Sequence, residues 1–241
     1  MIYIQSNDEK LPHHFDAASA LYGAEDSGLD FKLITFEQVK VFYALQGRNF
    51  LTNNLFVGSV EFMTLIFNYL HKSPRVELNS NRVEEFITLL EAKNRVINGE
   101  TLFIKPKQIK LFTGMVCKKD FIFCLNPYPD ETEVIVSKPF EHEIVSEWRC
   151  YIYKNIIGDD IADIRNYLGD PFIVPNRDYI KSIINDNPNF PIAYTIDIGI
   201  LENGENVVIE FNDMWAIGNY GMENDKYLRL LKARYFEIIK E

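Results

Sequence analysis

Residues 207–220 read VVIEFNDMWAIGNY, and the rest of the chain is best read outward from them. Val207, Val208 and Ile209 are β-branched and Phe211 is aromatic, side chains that fit a half-buried pleated surface. Strand side chains alternate between faces, so Glu210 and Asn212 share one face and Ile209 and Phe211 the other. A carboxylate and an amide on an apolar strand are costly to bury without a partner. A hard cation with oxygen ligands suits both. Just upstream, Ala193–Leu201 reads as another strand, separated from the first by Glu202-Asn203-Gly204-Glu205. Asn-Gly is the strongest short hairpin signal. Antiparallel pairing across that turn brings Asp197 toward Glu210 and Asn212, three candidate ligands for a divalent metal. Singly, each has a structural explanation: Asp197 as a solvated edge residue, Asn212 as the start of a turn. Together, set in apolar strands, they favour the metal.

Beyond the hairpin, Asn224 or Asp225 is expected to cap a last helix with Leu228, Leu231, Tyr235, Ile238 and Ile239 inward. Before it, Trp148–Tyr153, Ile156–Ile157 and Ile161–Ile164 read as strands. A helix lies within Ile173–Asn187, with Tyr179, Ile183 and Ile184 inward. The middle block opens on SNRVEEFITLLEAK. It reads as a helix capped by Ser80 or Asn81, with Val83, Phe86, Ile87 and Leu90 inward. Strand-like runs follow at Thr101–Ile104, Ile109–Phe112, Phe121–Leu125 and Val134–Val136. The amino-terminal block reads strand (MIYIQ), helix (His13–Leu21, with Phe15, Ala18 and Leu21 on one face), strand (Phe31–Ile34) and strand (Leu55–Val57). Ser59 then caps a helix striped with Val60, Met63, Phe67 and Leu70. This order suggests a small α/β layer on a parallel sheet, ending near the polar run His71–Asn79. The expected division is 1–76, 77–136 and 137–241.

With 47% apolar residues, 18 Phe and 13 Tyr, the chain can bury a large aromatic core. Its formal charge of −10 argues against non-specific nucleic-acid binding. Cys117, Cys124 and Cys150 are odd in number and form no CxxC pair, so free thiols are expected rather than disulfides or zinc. Asn7, Asp8, Glu9 and Lys10 interrupt any leader-like apolar run, and no run is long enough to span a bilayer. The expectation is a soluble, cytoplasmic protein without membrane or nucleic-acid partners. The four histidines lack metal-ligand spacing, and neither a Gly-x-Ser-x-Gly elbow nor a P-loop occurs.

DIGILENGENVVIEFN, residues 197–212, resembles the metal-binding hairpin of the ATP-grasp superfamily. TLFIKP at Thr101–Pro106 is similar to that family's strand carrying a nucleotide-contacting lysine. VIVSKPFEHEIVSEWRCYI at Val134–Ile152 is similar to its adenine hinge and the strand beyond. The resemblance implies an α/β (α+β) ATP-grasp fold: two α+β subdomains clasping the nucleotide, preceded by a small Rossmann-like α/β pre-domain. It implies Mg2+, with Mn2+ as a substitute, on Asp197, Glu210 and Asn212, and ATP at Lys105, with Lys107 and Lys110 nearby. The hinge would be Ser137–Phe140, with Val136 and Phe140 packing on adenine and Lys138 beside them. Glu141 and Glu143 both stand as ribose candidates, and Glu147 shares a sheet face with Arg149. Arg149 and Arg165 would touch the terminal phosphate and an acyl-phosphate intermediate, with Asp163 and Tyr167 orienting Arg165.

Two features depart from the family pattern. PKQIKLFTG, after Lys105, holds only Gly114 where the phosphate-covering loop is often richer in glycine. Arg82 and Lys93 are the only stand-ins for the family's earlier lysine. The activity implied is an ATP- and Mg2+-dependent carboxylate–amine ligase. Its substrates would be a carboxylate and an amine, a peptide or protein end being one option. A phosphotransferase on the same fold and a non-catalytic nucleotide-binding module are the alternatives. Trp215, Asn219 and Tyr220 are the substrate-side candidates; packing of Trp215 on the pre-domain is the competing explanation for that residue.

Overall fold

A computed structural model describes residues 1–74, 83–107, 111–154 and 159–241. The chain forms two compact units, Met1–Leu78 with Ile144–Glu241, and Asn79–Glu143.

The first unit has two layers. Strands β1 (Ile2–Gln5), β2 (Phe31–Ile34) and β3 (Leu55–Val57) form a parallel sheet in the order β2-β1-β3. Helices α1 (Phe15–Asp26), α2 (Phe36–Gln46), α3 (Arg48–Thr52) and α4 (Val60–Tyr69) belong with it. Ser59 caps α4, its hydroxyl accepting from Phe62 N at 3.2 Å. The expected face of α1 is corrected: Phe15 is 73% exposed, and Ala17, Ala20, Gly23 and Ala24 are buried. These small residues let α1 lie against α7 (Asn224–Lys240), where a Cβ on Gly23 would come within 2.3 Å of Asn224 O. A stripe of large apolar residues is therefore the wrong guide to a close helix contact. The sequence reading assigned nothing to α2 and α3, although Thr35 and Gln38 form a capping box ahead of α2.

The second layer is antiparallel, β11-β10-β8-β9, built from β8 (Ile144–Tyr153), β9 (Ile161–Gly169), β10 (Ala193–Leu201) and β11 (Asn206–Asp213). Helix α6 (Arg177–Asp186) covers one face with Ile180, Ile183 and Ile184 against Cys150, Ile152, Tyr194, Ile196, Ile198 and Val208. Tyr179 is only partly inward. On the opposite face, Tyr151 and Ala193 join the core of the parallel layer and α7. The rest of that face is polar. Helix α7 buries Tyr227, Leu228, Leu230, Leu231, Tyr235 and Ile238, a broader stripe than expected, with Ile239 only partly buried. Its N-cap is Glu223, without a side-chain cap, rather than Asn224 or Asp225.

The second unit holds β4 (Glu85–Thr88), α5 (Leu89–Ile97), β5 (Leu102–Pro106), β6 (Met115–Cys117), a 3-10 helix (Lys119–Leu125) and β7 (Glu133–Ser137). The sheet is antiparallel in the order β4-β7-β5-β6. Here the reading is corrected most. The segment expected to open a helix is strand β4, paired from Glu85↔Val136 to Thr88↔Glu133. The helix starts only where Thr88 Oγ1 caps it by accepting from Glu91 N at 3.2 Å. Val83, Phe86 and Leu90 are exposed, and Leu89, Ala92 and Val96 are buried. Over so few residues an apolar run fits both periods, and pairing with β7 decides. Phe121–Leu125 lies in the 3-10 helix instead of a strand, with Phe121 and Phe123 exposed and Leu125 buried. β6 was unanticipated; Leu111 and Phe112 lie outside any strand. Ser80, Asn81, Arg82, Ile109, Lys110, Ile156 and Ile157 fall outside the described residues.

Candidate active site

Four charged residues stand side by side across the second layer of the first unit. β8 places Arg149 opposite Arg165 on β9 and opposite Asp197 on β10, and Asp197 opposite Glu210 on β11. Directly opposed residues share a face. The row therefore runs Arg165, Arg149, Asp197, Glu210, two cations followed by two anions. A second row on the same face runs Asp163, Tyr151, Thr195, Asn212. The period-two alternation that sends Ile196 and Ile198 to α6 sends Asp197 here.

Arg149 is the centre. Its Nε and Nη2 donate to Asp197 Oδ1 and Oδ2 at 2.8 and 2.7 Å, and both residues are buried. Burial opposes its charge, and the hydrogen bonds and charge of Asp197 outweigh this and hold its pKa above the usual value. The Asp197 carboxyl is pushed up to about 6, chiefly by burial; Arg149 opposes the shift and the Glu210 carboxylate adds to it. Asn212 Nδ2 donates to Glu210 Oε1 at 3.0 Å. Arg165 Nη2 donates to Asp163 Oδ2 at 2.7 Å. Tyr167 OH donates to Glu147 Oε2 at 2.8 Å, and burial followed by the Asp197 charge raises its pKa.

The Asp197, Glu210 and Asn212 set fits a hard cation. All can offer oxygen, and the two neighbouring carboxylates leave negative charge that Arg149 only partly offsets. No group of three His, Cys, Asp or Glu side chains poised for a metal occurs among the described residues. An ion here would rest on two carboxylates and an amide.

The second unit carries the other candidates. One face of its sheet packs Leu102, Ile104, Val134 and Val136 beneath α5, so Val136 is buried in that core. The other face carries Phe86, Ile135 and Lys105 in register. Lys105 Nζ pairs with Glu84 Oε1 at 3.1 Å, partly buried. Gly114 lies over this face; a Cβ there would meet the Phe103 ring at 2.7 Å and Lys105 Cβ at 3.1 Å. Ser137 is buried opposite Phe103, Lys138 is exposed, Phe140 is half-buried, and Glu141 and Glu143 are exposed. Lys107 pairs with Glu133 at 3.0 Å on the exposed surface, and Lys93 with Asp130 at 2.8 Å.

Residues 84–230 match a family model described as an ATP-grasp domain, the second family of its clade. The chain belongs to the ATP-grasp family. Solved structures with the same fold include N5-carboxyaminoimidazole synthetase from Staphylococcus aureus complexed with ADP. It is 9% identical, with TM-score 0.53 over 97% of this chain and 77% of that one. D-alanine–D-alanine ligase from Bacillus anthracis is 14% identical, with TM-score 0.51 over 99% and 97%. D-cycloserine synthetase DcsG is 9% identical, with TM-score 0.53 over 98% and 99%. At such identities the likeness is one of fold. No curated protein matches the chain.

This ATP-grasp chain brings several residues to the charged row that the sequence reading missed. Tyr151 OH donates to Gly218 O and Asn219 O at 2.6 and 2.7 Å. Asp16, at the start of α1, accepts from Asn219 N at 2.8 Å across 203 positions of sequence. Tyr220 stacks on Tyr167, ring centroids 5.3 Å apart, and lies over the Arg149 guanidinium at 4.9 Å. Thr195 Oγ1, Asn219 Oδ1 and Arg165 Nε are buried without hydrogen-bond partners. The only sequence signal for Tyr151 and Thr195 was their position two residues from Arg149 and Asp197. Trp215 packs edge-on against Phe67 of α4 at 5.4 Å.

Proposed function

We propose that this ATP-grasp protein is an ATP-dependent carboxylate–amine ligase. The observation that carries the proposal is the row Arg165, Arg149, Asp197, Glu210 on the polar face of the antiparallel layer. Two fixed guanidinium groups beside two carboxylates suit a reaction in which a phosphoryl group is the main charge to be neutralised.

In this reading a substrate carboxylate oxygen attacks the γ-phosphorus of ATP, the bond to ADP breaks, and an acyl phosphate forms. An amine then attacks the acyl carbon. The C–O bond to phosphate breaks, phosphate leaves with the electron pair, and the amine proton passes to solvent. The protein's part is positioning and electrostatics. Arg149 and Arg165 hold the transferring phosphoryl oxygens. Lys105 exchanges Glu84 for a nucleotide phosphate, while Lys107, on the exposed surface, adds only diffuse charge. The uncovered face around Lys105, with Val136 beneath it, and the backbone at Ser137, Lys138 and Phe140 take adenine. Glu143 takes ribose, and Glu147 fixes Tyr167. Glu210 and Asn212, with Asp197 beside them, would hold Mg2+ or Mn2+, which supplies charge neutralisation at the phosphates. Asn219 and Tyr220 border the substrate side, whereas the packing of Trp215 on Phe67 gives that residue a structural role.

Along the chain we assign 1–76 to a pre-domain, 77–136 to the first grasp subdomain and 137–241 to the second. ATP supply and free Cys117, Cys124 and Cys150 suit the cytoplasm. Among the described residues no helix is long and apolar enough to cross a membrane.

The test is purified protein with ATP, Mg2+ and paired panels of carboxylates and amines, including amino acids, small metabolites and peptide ends. The expected outcome is ADP, phosphate and a product whose mass is the sum of the pair less water. A phosphorylated end product would make it a phosphotransferase. ATP binding without turnover of any pair would make it a nucleotide-binding module.

A further inference from the structure

Tyr220 has a backbone that does not suit its side chain. Its φ is 48°, in the left-handed region that Gly and Asn enter far more readily than an aromatic residue. Its ring is 48% exposed, so burial does not hold it there. The segment before it is tied down from two sides: Asp16 holds Asn219 N, and Tyr151 OH holds the carbonyls of Gly218 and Asn219. From that anchored loop the ring is laid over one buried cation. Arg149 Cζ lies 4.9 Å from the Tyr220 centroid and 5.8 Å from that of Tyr167, and the two rings are nearly parallel, 27° apart. Tyr167 is itself fixed by Glu147. Gly218 leaves the space: a Cβ there would press to 3.4 Å from the Tyr220 ring and 3.8 Å from Arg149 Nη1.

Resting on the ligase reading above, we propose that Tyr220 and Tyr167 form an aromatic clamp that positions Arg149 for the phosphoryl group. In the ligand-free protein Asp197 alone could orient the guanidinium, since it binds both Nε and Nη2. In the working enzyme Asp197 has a second demand, because it faces Glu210 in the cation-binding set. Whatever hold Asp197 gives up must be replaced, or the guanidinium swings on its flexible stem. An aromatic face holds its plane by cation–π attraction without engaging an N–H donor, leaving all of them for phosphate oxygens. A strained backbone that persists under an exposed ring points to a function for the ring rather than to packing.

The experiment compares Tyr220→Asn, which tolerates the left-handed backbone and has no ring, with Tyr220→Phe, which keeps the ring. Two readouts are needed: steady-state ADP release, and the Arg149 Nε–H resonance in 15N-labelled ligand-free protein, assigned by its loss in Arg149→Lys. For Tyr220→Asn the melting temperature is expected to equal or exceed that of the unaltered protein. Its Nε–H resonance should move downfield as the ring current is lost. Misplacement of the guanidinium should lower kcat by about 10²-fold, with KM for ATP changed less than about threefold. Tyr220→Phe should match the unaltered protein in resonance and keep at least about half of kcat, because the cation–π contact needs only the ring. An unmoved resonance with unchanged kcat in Tyr220→Asn overturns the clamp, as does a Tyr220→Phe variant as impaired as Tyr220→Asn. If the unaltered protein turns over no substrate pair, the ligase reading fails, and the resonance comparison still decides the clamp.

Discussion

The first unit contains two buried arginine–aspartate pairs of nearly the same geometry, and they do different things. Arg234 on α7 donates Nε and Nη2 to Asp213 at 2.7 and 2.8 Å, much as Arg149 does to Asp197. Its Nη1 is also satisfied, by Glu237 at 2.8 Å and Glu241 at 3.1 Å, and Glu237 in turn accepts from Ile192 N. Burial raises the pKa of Asp213 as it does that of Asp197. The difference lies in the surroundings. The Arg234 cluster is closed on itself and joins the end of β11 to α7. The Arg149 pair has a further carboxylate, a further guanidinium and three buried polar atoms without partners around it. A buried ion pair is therefore no sign of a site by itself. Unmet polar capacity beside it is the sign.

The comparison can be broken or sharpened by substitution. Arg234→Ala strands Asp213 in the interior, and breaking a buried pair costs about 3–5 kcal/mol. Thermal unfolding should show this as a Tm lower by roughly 10 °C. An unchanged Tm would dissolve the distinction between the two pairs. Next in size, Glu210→Ala should lower ADP release by about 10²–10³-fold, the scale for losing a group that organises transition-state charge, with Tm held or raised. A collapse of Tm instead would make the charged row a structural feature like Arg234.

The third test uses pH. Because the Asp197 carboxyl is raised to about 6 in the folded protein, the native state keeps a proton that the unfolded chain has already released. Stability in metal-free buffer should fall as pH rises from about 4 to 6, by up to about 3 kcal/mol, and level off above. Asp197→Asn should flatten that slope in urea titrations; a slope that survives assigns it to another group. Smaller effects fall on the lysines of the second unit. Lys105→Ala should raise KM for ATP about tenfold or more, the scale for one charge-assisted hydrogen bond. Lys107→Ala should shift stability by less than about 1 kcal/mol, since its partner Glu133 is exposed. Equal effects on KM from both would remove the special standing of Lys105.

The fold was most legible where local rules suffice. The Asn-Gly hairpin, the bounds of β10, the Ser59 cap and the alternation that sends Glu210 and Asn212 to one face are all written within a few residues of one another. The middle block was least legible. EFIT is four residues long, its apolar positions satisfy a helix and a strand equally, and only pairing with β7 chose the strand. The inward face of α1 was misread because small side chains, which carry little apolar signal, are what a close helix contact selects.

What the sequence by itself determined is the chemistry on offer: an acid and an amide on one strand face, an acid on its hairpin partner, arginines on neighbouring strands, and Lys105 closing an apolar strand. Periodicity fixes which side chains share a face because it depends only on backbone geometry. What only the tertiary structure decided is which charges meet. Register across four strands set Arg165, Arg149, Asp197 and Glu210 in one row. The α1 contact placed Asp16 under Asn219, and the loop it anchors laid Tyr220 over Arg149. Those contacts join residues 48 to 203 positions apart. No local propensity specifies them; they follow from burying the apolar faces of the two layers together.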